Sequence, residues 1–204
     1  MLEFRLAYQG ILQGEGDSKH KHEIRRYLHK QLLNLWKIKE PLKSRGNFYS
    51  RREESGNVIE KNGIQLVADA HQMGNKRFVP VVRREWGLTC ALDVLILRRD
   101  HFPLITSGDL DNRIKTLFDA LRIPDVGQYC EGDEDPLYCL LEDDKLVAEL
   151  RVTADLLTAP PEQIVESPKK NIFGDQTVSV NHALVLIHVL VKPTSIMHGN
   201  LDFV

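Results

Sequence analysis

The 204-residue sequence predicts an α+β fold, a mixed β-sheet with helices packed on it, and three observations carry that prediction. Leu2 to Tyr8 and Leu146 to Leu156 alternate apolar with polar residues, the period of a half-buried strand. Lys19 to Lys37 and Asn112 to Leu121 space their apolar residues three and four apart, the period of an amphipathic helix. The segments follow one another as strand, helix, strand, helix, strand, strand, which suits helices layered on a mixed sheet. With 42% hydrophobic and 27% charged residues the chain has the composition of a domain with its own core. No internal repeat, low-complexity tract or domain boundary interrupts it, so residues 1–204 are expected to form one domain.

The first strand covers residues 2–12, with Leu2, Phe4, Leu6 and Tyr8 on one face before Gly10. In the first helix Ile24, Tyr27, Leu28, Leu32, Leu35 and Trp36 form one stripe, and basic residues occupy the rest. Residues 40–63 carry Pro41, Gly46, Gly56 and Gly63 among many charges and no apolar period, which predicts a loop-rich insertion. Ile64 to Val67 and Phe78 to Val82 are short strand candidates. Leu88 to Leu97 reads as a central strand with Leu88, Cys90, Leu92, Val94 and Ile96 on one face. Ile114, Leu117, Phe118 and Leu121 give the second helix its stripe, and Pro124 ends it. Residues 122–141 read as an acidic insertion. Leu146 to Leu156 is a half-buried strand, and Val178 to Val191, apolar on both faces, an interior one.

Three cysteines, Cys90, Cys130 and Cys139, argue against a disulfide-stapled secreted domain, and no early basic segment leads into a signal-like apolar run. The longest apolar run, Ala183 to Val191 broken by His188, is far short of the ~20 residues of a spanning helix. A soluble cytoplasmic protein without a membrane partner is the expectation. The net charge of −2 conceals an asymmetry: residues 1–100 sum to +7 and residues 101–204 to −9. Such a split suits a basic surface for a polyanion beside an acidic pocket for cations, and it equally suits two halves that pair with each other.

The densest chemical signal is Gly108-Asp109-Leu110-Asp111-Asn112-Arg113-Ile114-Lys115, followed later by Glu142-Asp143-Asp144 just ahead of the alternating strand. If the chain is extended before the helix, Asp109 and Asp111 both turn toward one cation. Lys115 follows Asp111 by four residues on the same helix face, and Asp119 follows by another turn. Were the sheet to bring Asp143 or Asp144 beside this helix start, the product would be an oxygen-rich site for Mg²⁺ or Mn²⁺ with an ammonium next to it, the set that phosphodiester hydrolysis uses. The spacing also fits a plainer outcome. Asp109 or Asp111 caps the helix, Asp111 and Lys115 form a surface pair worth about 0.3 kcal/mol, and Asp143-Asp144 is a solvated turn.

The ordered set Asp109-Leu110-Asp111-Asn112, Lys115, Phe118-Asp119-Ala120-Leu121 and then Asp143-Asp144 before a strand resembles the RusA family of Holliday-junction resolvases. The match is strongest over residues 108–152, and the order of elements extends it over most of the chain. The segment 40–85 and the link from Arg122 to Leu141 are longer than that family's. The resemblance implies a RusA-like fold and a Mg²⁺-dependent homodimeric endodeoxyribonuclease of recombination and repair that resolves four-way junctions. It implies Asp109, Asp111, Asp144 and Lys115 as catalytic residues, with Asp109, Asp111 and Asp144 on the metal and Asp143 assisting. A nuclease of branched DNA would associate with the nucleoid. Two rivals stand beside it: a non-cleaving branched-DNA-binding or interaction module on the same fold, and a structural protein with a capped helix.

For DNA contact the sequence offers Lys19, Lys21, Arg25, Arg26, Arg51 and Arg52, with Lys43 and Arg45 nearby and Phe48 and Tyr49 as aromatic probes of exposed bases. A solvated helix face followed by a floppy loop is the plainer alternative. Lys76, Arg77, Arg83 and Arg84 make a second basic patch. His20, His22 and His29 lack metal spacing and read as surface histidines, His188 as a hydrogen-bonded core histidine, and Trp36 and Trp86 as packing residues.

Overall fold

The computed structural model describes residues 1–54, 57–98, 109–128, 131–158, 182–197 and 199–204. Its main sheet is four-stranded and mixed, in the order β1-β9-β6-β8, from β1 (Leu2–Ile11), β9 (His182–Pro193), β6 (Leu88–Arg98) and β8 (Val147–Leu156). β9 runs antiparallel to both β1 and β6, whereas β6 and β8 are parallel, with Leu92 opposite Leu150. The α+β class with a mixed sheet is therefore present. β6 is central, as read, and β9 fills the interior place read for Val178 to Val191 from its apolar residues on both faces, of which residues 178–181 lie outside the described residues. Alternation buries Leu2, Phe4, Leu6 and Tyr8 of β1 and Leu88, Cys90, Leu92, Val94 and Ile96 of β6 on the same side of the sheet.

That side is covered by α1 (Ser18–Ile38), whose Ile24, Leu28, Leu32, Leu35 and Trp36 enter the core. Asp17 caps α1 by accepting the His20 amide at 2.7 Å. The later helix, α4 (Asp109–Leu121), buries Leu117, Ala120 and Leu121. Trp36 and Trp86 are packing residues as read, with ring centroids 6.1 Å apart. Among the described residues no helix is long and apolar enough to cross a membrane.

Residues 40–63 are not loop-rich. They form α2 (Leu42–Asn47) and an antiparallel hairpin of β2 (Tyr49–Glu54) and β3 (Asn57–Asn62), short elements of mostly polar residues that carry no apolar period to read. Ile64 to Val67 is not a strand but part of α3 (Gly63–Ala70), started by a reciprocal capping box between Asn62 and Gln65. Gly63 is required there, because a Cβ would stand 1.8 Å from the Arg45 carbonyl oxygen. The acidic insertion ends in β7 (Leu137–Leu141), all five residues of which are buried. β7 runs parallel to β5 (Lys76–Val82), which pairs on its other edge with β4 (Gln72–Met73). The apolar run of β7 is the signature of a strand covered on both faces.

His20, His22 and His29 are buried within α1, not displayed on the surface. They flank the apolar stripe, His22 and His29 where α1 meets residue 131 and β7, and His20 where it meets the segment after β1. The Tyr138 amide donates to Nδ1 of His29 at 2.9 Å, and the Gln13 amide donates to Nε2 of His20 at 3.4 Å. His188, by contrast, is a half-exposed cross-strand partner of Glu3 at 2.8 Å, hydrogen-bonded as read but outside the core.

Burial lowers the basicity of His20, His22 and His29 below the usual imidazole range. An unfolded chain takes up protons near pH 6.5 while the folded one stays neutral to lower pH, so this contribution to stability is complete above that value and is lost as pH falls through the window below it. Thermal unfolding followed by circular dichroism is expected to give a level midpoint above about pH 7 and a decline starting near pH 6.5. His29→Gln, which keeps an acceptor without titrating, removes part of that slope. An unchanged slope would show that His29 does not carry it.

Candidate active site

α4 begins at Asp109, three residues before the predicted start, so Asp109 and Asp111 belong to the first helical turn and not to an extended approach. Positions two apart on a helix lie about 200° apart around its axis, so this backbone does not aim the pair at one cation. The side chain of Asp109 lies outside the described residues. Asp111 and Lys115 are exposed on consecutive turns, and neither forms a hydrogen bond or ion pair among the described residues. A turn further on, Asp119 is only 15% exposed and takes Lys21 at 2.7 Å and Arg122 at 3.4 Å.

The other faces of α4 are committed to the fold. Arg113 is buried and donates to the Leu12 carbonyl. The Thr116 hydroxyl accepts from the Gly16 amide at 3.2 Å and donates to the Gly14 carbonyl at 3.3 Å. These contacts seat the first half of α4 at the end of β1. At the opposite end the Ile123 amide donates to the Leu141 carbonyl at 3.0 Å, tying the exit of α4 to the end of β7.

That seating separates the acids. Asp144 opens a 3₁₀ turn, Asp144–Leu146, immediately before β8, at the Cys90 end of β6; Asp111 sits with Leu12 at the Arg98 end. Asp144 is exposed and lies in the electrostatic neighbourhood of Arg122, eleven residues or about 16 Å along the helix from Asp111. Asp143 serves the fold, accepting the Lys145 amide at 2.9 Å as the cap of the turn and pairing with Arg84. The Lys145 amide, with Arg84 beside it, holds the Asp143 carboxyl below the usual carboxylate range. Among the described residues no three His, Cys, Asp or Glu side chains form a group able to hold a metal. Asp111 and Lys115 are brought together; Asp143 and Asp144 do not join them.

The predicted DNA-contact residues divide sharply. Lys19 is exposed. Arg51 is 66% exposed, 3.9 Å from Glu60, and the side chain of Arg52 lies outside the described residues. Lys21 pairs with Asp119 and Arg26 with Glu134 at 2.6 Å. Arg25 is no phosphate contact: it is 1% exposed, donating from Nε to the Arg122 carbonyl at 3.1 Å and from Nη2 to the Asp119 carbonyl at 2.6 Å. A guanidinium at the carbonyl end of α4 satisfies acceptors the helix cannot and complements its dipole. The clue was present in the sequence, since Arg25 follows Ile24 and precedes Leu32 by seven residues on the edge of the stripe.

The second basic patch is also committed. Lys76 donates to the Gly132 carbonyl, Arg77 pairs with Asp135 at 2.8 Å, Arg84 pairs with Asp143, and Arg83 is buried with its guanidinium carbon 3.4 Å from the Trp86 ring centroid. The two oppositely charged halves of the chain do pair with each other. Comparison of the chain with protein-family models, with curated proteins and with solved structures finds no significant match.

Arg25→Met leaves two helix-end carbonyls without a charged donor and is expected to cost about 3 kcal/mol of stability. Arg51→Met is expected to stay within about 0.5 kcal/mol. Urea unfolding of the two variants measures the contrast, and equal small effects would return Arg25 to the surface.

Proposed function

We propose that this chain is an endonuclease of the RusA kind that hydrolyses phosphodiesters of branched, four-way DNA in recombination and repair, working as a nucleoid-associated homodimer. The observation that carries the reading is the pair Asp111 and Lys115. They are a carboxylate and an ammonium left exposed on successive turns of a helix whose remaining faces are bound into the fold. Lys115 attracts and polarises a phosphate, and Asp111 accepts a hydrogen bond from an attacking water.

The Mg²⁺ or Mn²⁺ that the resemblance implies calls for Asp109, Asp111 and Asp144 together. In one chain the described residues do not fit that set, because Asp144 stands at the other end of α4. The same separation favours a second reading, a branched-DNA-binding module that does not cut.

Asp111→Asn separates these readings. Asp111 is exposed within the first turn of α4 and makes no hydrogen bond or ion pair among the described residues, so stability is expected to change by less than about 0.5 kcal/mol. Cleavage of a labelled junction is expected to fall at least about 100-fold, with binding retained or tightened because a negative charge facing phosphate has gone. A folded Asp111→Asn variant that cuts at the parental rate removes the assignment. A parental chain that binds the junction and never cuts it establishes the second reading.

A further inference from the structure

We infer that the outer edge of β8 is the interface through which a second copy of this chain docks, antiparallel and about a two-fold axis at Leu150. The two edge strands of the main sheet are not alike. In β1 the inward residues Leu2, Phe4, Leu6 and Tyr8 are at most 9% exposed beneath α1, whereas Leu150 of β8 faces the same side and is 48% exposed. Ala148 on that side is exposed as well, so β8 offers an apolar row and an edge that no described strand pairs. A ten-residue edge strand with an apolar face is a template for another strand.

Charge selects the occupant and narrows the register to an axis at Leu150 or at Thr153, of which the first centres the strand's exposed large apolar residue. Glu149 and Arg151 flank Leu150 on the opposite face and stay 66% and 78% exposed although Glu149 takes Lys192 at 2.7 Å and Arg151 stands 4.0 Å from Asp93. With Leu150 on the axis, Glu149 of each copy stands opposite the partner's Arg151, twice over, while Ala148 meets the partner's Val152 and Val147 the partner's Thr153. A shift that puts Arg151 or Val152 on the axis instead opposes two arginines, or Glu149 to Asp155. Pairing about Leu150 joins the two four-stranded sheets into one of eight strands with both α4 helices on the same face. Where this rests on the nuclease reading, two Asp111–Lys115 pairs related by a dyad match a four-way junction that must be nicked at two symmetric places.

Sedimentation velocity on the full chain, without DNA or metal, tests the interface separately from the nuclease reading. The parental chain is expected to be a dimer at micromolar concentration. Arg151→Glu sets like charges opposite each other and is expected to raise the dimer dissociation constant about 10-fold or more, as is Glu149→Arg. The double variant Glu149→Arg/Arg151→Glu exchanges the signs and is expected to restore the dimer, with circular dichroism confirming that all three remain folded. A monomeric parental chain, single variants that dimerise as the parent does, or a folded double variant that stays monomeric would overturn the proposal. The last result, with rescue by Arg151→Asp/Asp155→Arg, would place the axis at Thr153 instead.

Discussion

The contact on which the rest of the molecule depends is the guanidinium of Arg25 against the last carbonyls of α4. A charge 1% exposed has no water to solvate it, and the Asp119 and Arg122 carbonyls supply the acceptors that replace that water. The same bonds fix the angle at which α1 crosses α4. With Arg113 and Thr116 holding the opposite end of α4 to the residues after β1, the helix is clamped at both ends. Among the described side chains of α4, Asp111 and Lys115 are left facing solvent without a structural task.

The pairing of the basic half with the acidic half follows the same logic. Lys21, Arg26, Arg77 and Arg84 reach Asp119, Glu134, Asp135 and Asp143 respectively, drawing α1 and β5 onto the segment that leads into and out of β7. Several of these pairs are partly exposed, so each contributes little to stability. Their collective effect is to settle which basic residues can meet a polyanion. Of Lys19, Lys21, Arg25, Arg26 and Arg51, all read for DNA contact, Lys19 alone is exposed without an ion pair, and Arg51 stands 3.9 Å from Glu60, a smaller surface than the sequence displays.

What was legible in the sequence is what periodicity reports. β1, α1, β6 and the alternating β8 follow from their apolar spacing, and the mixed sheet from the order of strands and helices. α2, the β2–β3 hairpin and α3 were not legible, since short elements exposed on most sides leave no stripe, and the Asn62–Gln65 capping box was hidden within a segment read as connection. β7 was masked by the acidic run before it. At the candidate site, the shared face of Asp111 and Lys115 follows from a spacing of four, whereas the position of Asp144 depends on β6 and β8 being parallel, which no local pattern encodes. Parallel pairing with a helical crossover places the start of the second strand at the far end from the start of the helix. Arg25 and His29 were misread because polar side chains on the flank of a stripe look solvated until their partners are known.

The most direct test of the central claim is incubation of the intact chain with a labelled synthetic four-way DNA junction, with Mg²⁺ and with excess chelator, followed by denaturing electrophoresis. The account predicts paired, symmetric nicks near the branch point. Uncut junction under both conditions would contradict the nuclease.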